Sequence, residues 1–294
     1  MTGTTNQPTV LPNEAHISGE YSGINSQVGN FYSLSKTLGI NDPNNVGGSG
    51  FTTTQNNHHL AKLSSHMVNN NDWGAATYLS ASKYGAGYNG VQINSQSDNR
   101  NNGNGDTYGT TGCGPYANGD VSQYGVTHGG VSTGLLGTQQ ACSSDGTRAY
   151  NGTLGQLAST TNNPTGIYDM SGGGWEYVAA SYNNDLNSSS TDYFSQSARP
   201  PYVNVYNFSN FNSCTYQTCG GQALYETNLS DSDGNNQWNN NNSYFIKSSY
   251  SWLGRSGAYN NGLNAGLFIT GIFAGNVYGN VLALRVALAP TTQD

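Results

Sequence analysis

The stretch from Gly166 to Val178, GIYDMSGGGWEYV, places the tightest constraint on how this chain can fold. It gathers Ile, Tyr, Met, Trp, Tyr and Val within thirteen residues, whereas the chain around it is polar and rich in Gly and Asn. Three consecutive glycines permit a positive φ, so a turn is expected at 171–174. Trp175 and Tyr177 then alternate with Glu176, which is the pattern of a half-buried strand. We expect Trp175 to lie in the core.

Asp169 and Glu176 are the two acidic residues of this stretch. Buried carboxylates need partners, because an unpaired buried charge destabilises a fold. Asp169 can cap or tie the glycine turn. Arg255 and Arg285 are two of the few arginines, and we expect one of them to pair with Asp169 or Glu176. A glycosidase-like pair of carboxylates is the catalytic alternative, but the structural role accounts for both residues.

Composition favours a folded chain with short regular elements and much loop. Only 9% of the 294 residues are charged, yet the chain contains 21 Tyr, 8 Phe and 4 Trp, whereas disordered chains are charged and poor in aromatics. The 40 glycines and the Asn, Ser and Thr runs predict turns, and good helix formers are scarce. One large all-β or α+β domain fits these features, with two domains as the alternative.

Charge and hydropathy argue against two classes of partner. A net charge of -7 with nine basic residues disfavours nucleic acid, which requires a basic patch. No stretch approaches the ~18 apolar residues of a membrane span, so we expect no membrane insertion. The amino terminus has neither the basic nor the apolar region of a signal peptide. We therefore expect that a signal has been removed or that export uses another route, such as assembly on a phage particle.

Four cysteines, Cys113, Cys142, Cys214 and Cys219, form an even set in a chain with few lysines, which suits an oxidising, extracellular setting. Three pairings are possible. Cys113–Cys142 and Cys214–Cys219 close the shortest loops and are favoured, and four free thiols are the alternative. Zinc is disfavoured, because the Cys-x4-Cys spacing occurs once, without a second close pair or a nearby histidine.

The polar stretches suggest the domain organisation. Residues 1–57 contain several turn signals and are predicted to be an arm or cap, and residues 58–294 are predicted to be the main domain. Two long polar inserts, 86–165 and 183–245, interrupt that domain. Loops of this length are usually functional or tied by disulfides.

Helical and strand patterns occur at the two ends of the main domain. Residues 56–85 are the best helical candidate, and a second short helix is predicted from Asp72 to Lys83. Four residues of the first helix fall on one face: Leu60, Leu63, His66 and Met67. The end of the chain shows short alternating runs, of which NVLALRVALAP (280–290) is the clearest strand.

Two patterns contain candidate metal ligands. His58, His59 and His66 are close in sequence, but no cysteine or carboxylate stands at ligand spacing, so a polar helix start with one core-facing histidine is preferred. In DSDGNN (231–236), Asp231 and Asp233 offer the alternating oxygens of a calcium loop without the distant Glu of an EF-hand. We therefore expect no required cofactor and keep calcium as an alternative to a solvated turn.

Four segments, in this order, resemble one protein family. HMVNNNDWGAATYLSASKYG (66–85) resembles the helical opening of domains related to formylglycine-generating enzymes. GIYDMSGGGWEYVAA (166–180) is similar to their G-L-Y-D-M-S-G-N-V-W-E-W motif. WLGRSGAYNNG (252–262) and LALRVAL (282–288) resemble R-G-G-S-W/Y and G-F-R-V-A. The resemblance implies an α+β, C-type-lectin-like fold with a small twisted β-structure, two helices and much irregular loop.

Catalysis does not follow from this resemblance. The oxidase members of the family bind copper through two cysteines close to the final strand. Here Cys214 and Cys219 lie more than sixty residues before Arg285, and no cysteine follows Gly220. This departure removes the catalytic centre, so we expect no enzymatic activity.

The carboxy-terminal region 255–288 has a skeleton of Asn and Gly with apolar and aromatic residues among them. It resembles the variable region of proteins diversified by retroelements, in which adenine-directed mutagenesis rewrites Asn-type codons on a constant lectin-like scaffold. The resemblance implies a ligand-binding surface made by Ala258, Tyr259, Leu263, Ile269, Thr270, Ile272, Phe273, Val277, Tyr278, Val281 and Leu282. Tyr and Phe give such a surface large contact area at low entropic cost. For GLFITGIF (266–273), burial as a core strand pair with a glycine bulge is the alternative.

We therefore expect an extracellular protein, on a cell surface or a phage particle, that binds an unknown protein or cell-surface ligand. Its predicted scaffold residues are Asp169, Trp175, Glu176, Arg255 and Arg285. Two other functions fit the sequence. One is a self-associating subunit of a surface filament, pilus-like or surface-layer assembly, joined through residues 1–57. The other is a calcium-dependent carbohydrate-binding lectin.

Overall fold

The computed structural model describes residues 2–4, 7–9, 35, 63–87, 90–91, 153, 155–168, 170–172, 175–183, 202–228, 243–257, 265–274 and 282–290. These residues form an α+β structure with open sheets and few helices. Several residues singled out above lie outside them: His58, His59, Cys113, Cys142, Asp169, Asp231 and Asp233.

The described strands are short, in keeping with a chain rich in turn residues. They are β1 Thr2–Thr4, β2 Gln7–Thr9, β3 Leu63–Met67, β4 Trp175–Tyr182, β5 Asn204–Tyr206, β6 Trp252–Ser256, β7 Gly266–Phe273, β8 Leu282–Leu284 and β9 Val286–Pro290. The helices are α1 Asn70–Ala81 and α2 Tyr216–Cys219, with single 3-10 turns at Gly155–Ala158, Phe211–Ser213 and Glu226–Asn228. The prediction of strands at the end of the chain is confirmed by β6 to β9. The segment NVLALRVALAP is not one strand, however, because β8 and β9 are separated at Arg285 and pair in different sheets.

Strand β4 is the centre of the largest sheet, which has the order β5-β4-β6-β7 with β8 alongside β4. One edge of β4 pairs with antiparallel β6. Two parallel strands share its other edge, because β8 pairs with residues 175–177 and β5 with residues 180–182. Positions 176–181 are all buried. The expectation of a half-buried strand is therefore wrong, since both faces of β4 are covered.

Apolar side chains cover the sheet on both sides, because successive residues of a strand point to opposite faces. On one side, Val178 and Leu253 belong to a cluster that includes Trp73 of α1. On the other side, Tyr177 and Trp252 belong to a cluster that includes Met67 of β3. The sheet is thus the middle layer between two apolar clusters.

Strand β3 takes the place of part of a predicted helix. It pairs antiparallel with β9, so that Leu63 lies opposite Pro290 and Met67 opposite Val286. The predicted helical face through Leu63, His66 and Met67 is therefore wrong. The backbone partners of these residues lie more than two hundred positions away along the chain, and a local apolar period gives no sign of such a partner.

Helix α1 (Asn70–Ala81) confirms the helix predicted from Asp72 to Lys83, although it begins and ends two residues earlier. Asn69 caps it by accepting hydrogen bonds from two backbone N–H groups, and the Asp72 carboxylate accepts from the Asn69 N–H in return. This reciprocal capping satisfies N–H groups that the helix itself leaves unpaired. Gly74 faces the backbone of Gly221, where an added Cβ would stand 2.0 Å from the carbonyl oxygen. The helix therefore packs directly on main chain.

A disulfide joins Cys214 to Cys219 and confirms one of the two favoured pairings. Both cysteines are fully buried and belong to the same apolar cluster as Trp73. The bridge therefore closes the short loop that carries α2 and also fills part of the core.

Replacing Trp252 by Ala is expected to lower the free energy of unfolding by about 3–5 kcal/mol, because truncating a buried Trp leaves a cavity. Trp252 has no exposed surface. Trp175 was expected in the core, but it is only half-buried at the start of β4 and packs against the edge of the cluster that contains Trp252. Trp175→Ala should therefore lower the free energy of unfolding by a clearly smaller amount. Urea unfolding followed by circular dichroism measures both values. Equal losses for the two variants would contradict the difference in burial.

Candidate ligand-binding surface and its anchors

Three of the predicted ligand-binding residues lie in the core. Ile269 and Thr270 have no exposed surface, and Leu282 is 2% exposed. All three sit on β7 or β8, within a sheet that is covered on both faces. A side chain without solvent contact cannot meet a ligand, so the expectation that these three contribute to the binding surface is corrected. Six others lie outside the described residues: Ala258, Tyr259, Leu263, Val277, Tyr278 and Val281.

Ile272 and Phe273 are the two predicted contacts that the structure describes as half-buried. They are neighbours on β7, so their side chains point to opposite faces of the sheet. Ile272 packs against the cluster that contains Val178, and Phe273 against the cluster that contains Tyr177. They therefore belong to two different surfaces, and only one of them can adjoin a given ligand.

Phe273 belongs to an aromatic cluster with Trp175 and Tyr177 of β4. Its ring centroid lies 5.7 Å from that of Trp175 and 5.5 Å from that of Tyr177, both edge-to-face. Two glycines that pair across β6 and β7 form the floor. A Cβ on Gly254 would stand 2.5 Å from Phe273, and one on Gly271 would stand 2.8 Å from Trp175. The rings therefore rest on bare backbone, and Trp175 and Phe273 keep partly exposed surface.

Glu176 and Arg285 form an ion pair, which confirms that one of the two arginines serves a carboxylate of the glycine stretch. Arg285 Nε lies 2.9 Å from one Glu176 oxygen and Nη2 lies 2.5 Å from the other, a bidentate arrangement. The Glu176 side chain is 7% exposed and that of Arg285 25%. Nη2 also donates to the Tyr168 carbonyl at 2.8 Å. The pair thus ties β4 to the junction of β8 and β9 and to the chain before the glycine turn.

Ser256, the last residue of β6, is joined to the glycine turn by two hydrogen bonds. Its hydroxyl donates to the Gly172 carbonyl at 2.6 Å, and the Gly172 N–H donates to the Ser256 carbonyl at 3.2 Å. Ser256 has a φ of 79°, a left-handed conformation that costs a non-glycine residue about 1–2 kcal/mol. The two hydrogen bonds offset that cost and hold the chain just before residues 258–264.

Two further contacts hold the positions that border residues 275–281. The Tyr177 hydroxyl donates to the Ala274 carbonyl at 3.3 Å. Leu282 pairs with Trp175 in the parallel ladder of β8 and β4. Burial raises the pKa of Tyr177, so its hydroxyl keeps the proton that this hydrogen bond uses.

Residues 172–177, here called the anchor segment, therefore contact described residues that flank both carboxy-terminal stretches, 258–264 and 275–281. Gly172 holds the position that precedes 258–264, and Tyr177 and Trp175 hold the two positions that border 275–281. The two glycines that precede Trp175 lie outside the described residues. The anchor segment thus fixes the positions of Ser256, Ala274 and Leu282, which belong to the region in which the ligand contacts are predicted.

Arg255, the other candidate partner for a carboxylate, is fully buried and binds backbone instead. Its Nη2 donates to the carbonyls of Ala223 at 2.8 Å and Leu267 at 3.1 Å. The guanidinium carbon lies 5.5 Å from the centre of the Trp73 ring. Burial lowers the pKa of Arg255, although the nearby Glu226 and two tyrosines favour the charged form. Arg255 is therefore a buried link between β6, β7 and α1.

His66 and Asp72 form a second charged contact, at the amino end of α1. His66 Nε2 lies 3.0 Å from Asp72 Oδ2, and the imidazole stacks on Tyr202 with 4.0 Å between ring centroids. The other ring nitrogen, Nδ1, is buried without a hydrogen-bond partner. A general base must reach its substrate, so this geometry suits a structural contact rather than proton transfer.

Comparison with protein-family models finds no match for this chain, and comparison with curated proteins finds none either. Within the described ranges, no three His, Cys, Asp or Glu side chains gather into a group that could hold a metal ion. In the same part of the chain, no helix has both the length and the apolar character needed to cross a membrane.

Glu176→Gln is expected to lower the free energy of unfolding by about 2–4 kcal/mol, because it leaves the Arg285 guanidinium without its counter-ion. The double variant Glu176→Leu with Arg285→Met should lose less stability than the sum of the losses in Glu176→Leu alone and Arg285→Met alone. Urea unfolding of the four proteins in the cycle measures the coupling. Lys83→Gln, at an exposed position, is the control for loss of one charge and should change stability by less than about 0.5 kcal/mol. Strict additivity would contradict a stabilising pair.

Asp72 predicts a pH dependence of stability. Burial acts to raise the pKa of this carboxyl, but hydrogen bonds from His66 and from the Asn69 N–H outweigh burial and lower the pKa overall. The folded state therefore favours the carboxylate, so its contribution is present above the ordinary Asp pKa of about 4 and is lost as the pH falls through the lowered value. Asp72→Asn should lose less stability than the wild type between about pH 5 and pH 2. Parallel urea midpoints across that range would contradict this assignment.

Proposed function

We propose that this chain is a non-catalytic, extracellular ligand-binding protein with a C-type-lectin-like scaffold, whose ligand contacts come from the carboxy-terminal region 255–288. The observation that carries the proposal is the anchor segment, which holds the positions next to 258–264 and on both sides of 275–281. A fixed base that carries exchangeable residues is the arrangement that lets one scaffold serve many ligands.

The spatial relations of the four resembling segments support the lectin-like scaffold. Most of β4 lies in the second segment, and β4 pairs with β6 of the third and β8 of the fourth. β3 and α1 lie in or overlap the first segment, and β3 pairs with β9, which begins in the fourth. Segments spread over more than two hundred residues therefore meet in two sheets. Motifs that pack together in this way fit a shared fold better than four independent coincidences.

The state of Cys214 and Cys219 supports a role without catalysis. Copper-binding oxidases of the resembling family need two thiolates close to the final strand. In this chain the two cysteines are bonded to each other and fully buried. Glu176, the carboxylate of the resembling motif, is occupied by Arg285. The two cysteines and Glu176 thus make structural contacts.

The same disulfide supports an extracellular location, on a cell surface or a phage particle, because stable disulfides form in oxidising compartments. The net charge of -7 favours a protein or cell-surface ligand over nucleic acid. No cofactor is needed for binding of this kind. Calcium at Asp231 and Asp233 stays an alternative from the sequence, since both lie outside the described residues.

Sibling copies of the gene test this proposal. Substitutions are expected to concentrate in the codons for 258–285, at adenine positions, beside a reverse transcriptase gene and a template repeat. Burial sharpens the expectation, because the codons for Ile269 and Leu282 should continue to encode apolar residues. The codon for Thr270 should stay unchanged, since its buried hydroxyl donates to the Tyr244 carbonyl at 2.8 Å. Codons for 166–180 are the internal control and should be constant. Substitutions spread evenly along the gene, without a template repeat, would contradict the proposal.

A further inference from the structure

Tyr216 is a large aromatic side chain that the fold leaves in solvent. It is the first residue of α2, inside the loop that Cys214–Cys219 closes, and it is 71% exposed. Tyr225 packs against it edge-to-face, with ring centroids 6.4 Å apart and an interplanar angle of 81°. The two tyrosines are separated in sequence, so tertiary structure brings them together.

The position of the Tyr216 ring is restricted by its surroundings. Gly220 lies beneath it, since an added Cβ there would stand 3.4 Å from a carbon of the Tyr216 ring. The Gly220 N–H donates to the Tyr216 carbonyl at 2.9 Å. Thr218 braces the loop, because its hydroxyl accepts from the Thr215 N–H at 2.8 Å and donates to the Ser213 carbonyl at 2.7 Å. A ring held in this way loses little freedom when a ligand stacks on it.

The segment that carries the ring is uncharged. Residues 207–225 contain no Asp, Glu, Lys or Arg. The next acidic residue, Glu226, already accepts a hydrogen bond from the Tyr78 hydroxyl at 2.7 Å. Gln217 is exposed beside Tyr216, so amide and phenol groups face solvent. Neutral donors and acceptors next to an aromatic face match a ligand that has hydroxyl groups and no charge.

We propose that Tyr216 and Tyr225, with Gln217, form a calcium-independent binding site for a neutral saccharide. The size of the patch decides between a sugar and a macromolecule. Two tyrosine side chains offer roughly 300–500 Å², whereas a stable protein interface needs about 800 Å² from each partner. One or two sugar rings fit that area. The proposed sugar contacts are all outside residues 255–288, so their failure leaves the proposed function untouched.

Saturation-transfer NMR on the full chain tests the site. The probes are maltose, cellobiose, lactose and N,N′-diacetylchitobiose, each with EDTA present to remove calcium. At least one disaccharide is expected to bind, and Tyr216→Ala should weaken it about tenfold or more. Tyr84→Ala is the matched control, because Tyr84 is 72% exposed and outside the patch. Tyr216→Phe keeps the ring and should retain most of the binding.

Four results would overturn the proposal. One is the absence of binding by all four disaccharides. A second is equal weakening by Tyr216→Ala and Tyr84→Ala. A third is a loss of binding in Tyr216→Phe as large as in Tyr216→Ala, since the ring would then not be the contact. The fourth is self-association of the wild type in sedimentation velocity that Tyr216→Ala abolishes, because a second copy would then occupy the patch. Unchanged thermal unfolding of the variants establishes that they are folded.

Discussion

The bidentate pair of Glu176 and Arg285 is the contact on which the described structure depends most. It lies on β4, the strand whose two edges bind three other strands. Glu176 is almost fully buried, so the carboxylate is tolerable there only with its cation. Because Arg285 also binds the Tyr168 carbonyl, the pair fixes the end of β8 against the chain that leads into the glycine turn.

Close backbone contact is the second organising feature. Gly254 and Gly271 let aromatic rings lie on the sheet, and Gly74 lets α1 lie on the main chain at Gly221. A chain with few aliphatic residues and many tyrosines gains packing in this way, because a ring on bare backbone fills the space that branched side chains fill elsewhere. Ser256 also depends on close contact with a glycine, because two hydrogen bonds to the Gly172 backbone stabilise its left-handed conformation.

The two proposed binding features differ in how the fold supports them. In the carboxy-terminal region, Ala274 and Leu282 are fixed by a hydrogen bond and by strand pairing from the anchor segment. The Tyr216 patch is held by a covalent bridge and a tight loop. We propose that the first arrangement carries replaceable residues, whereas the second presents one fixed surface.

Residue patterns alone predicted a strand at Trp175 to Tyr177, the helix near Asp72, the short disulfide and an arginine partner for Asp169 or Glu176. Each depends on local spacing or on the physical need to neutralise a buried charge. Tertiary structure decided which arginine serves Glu176, and it turned residues 63–67 into a strand, because their partner β9 lies at the other end of the chain. It also decided that Ile269, Thr270 and Leu282 are buried. A sequence period of two identifies a strand but does not say whether one face or both will be covered, since that depends on what packs above and below the sheet.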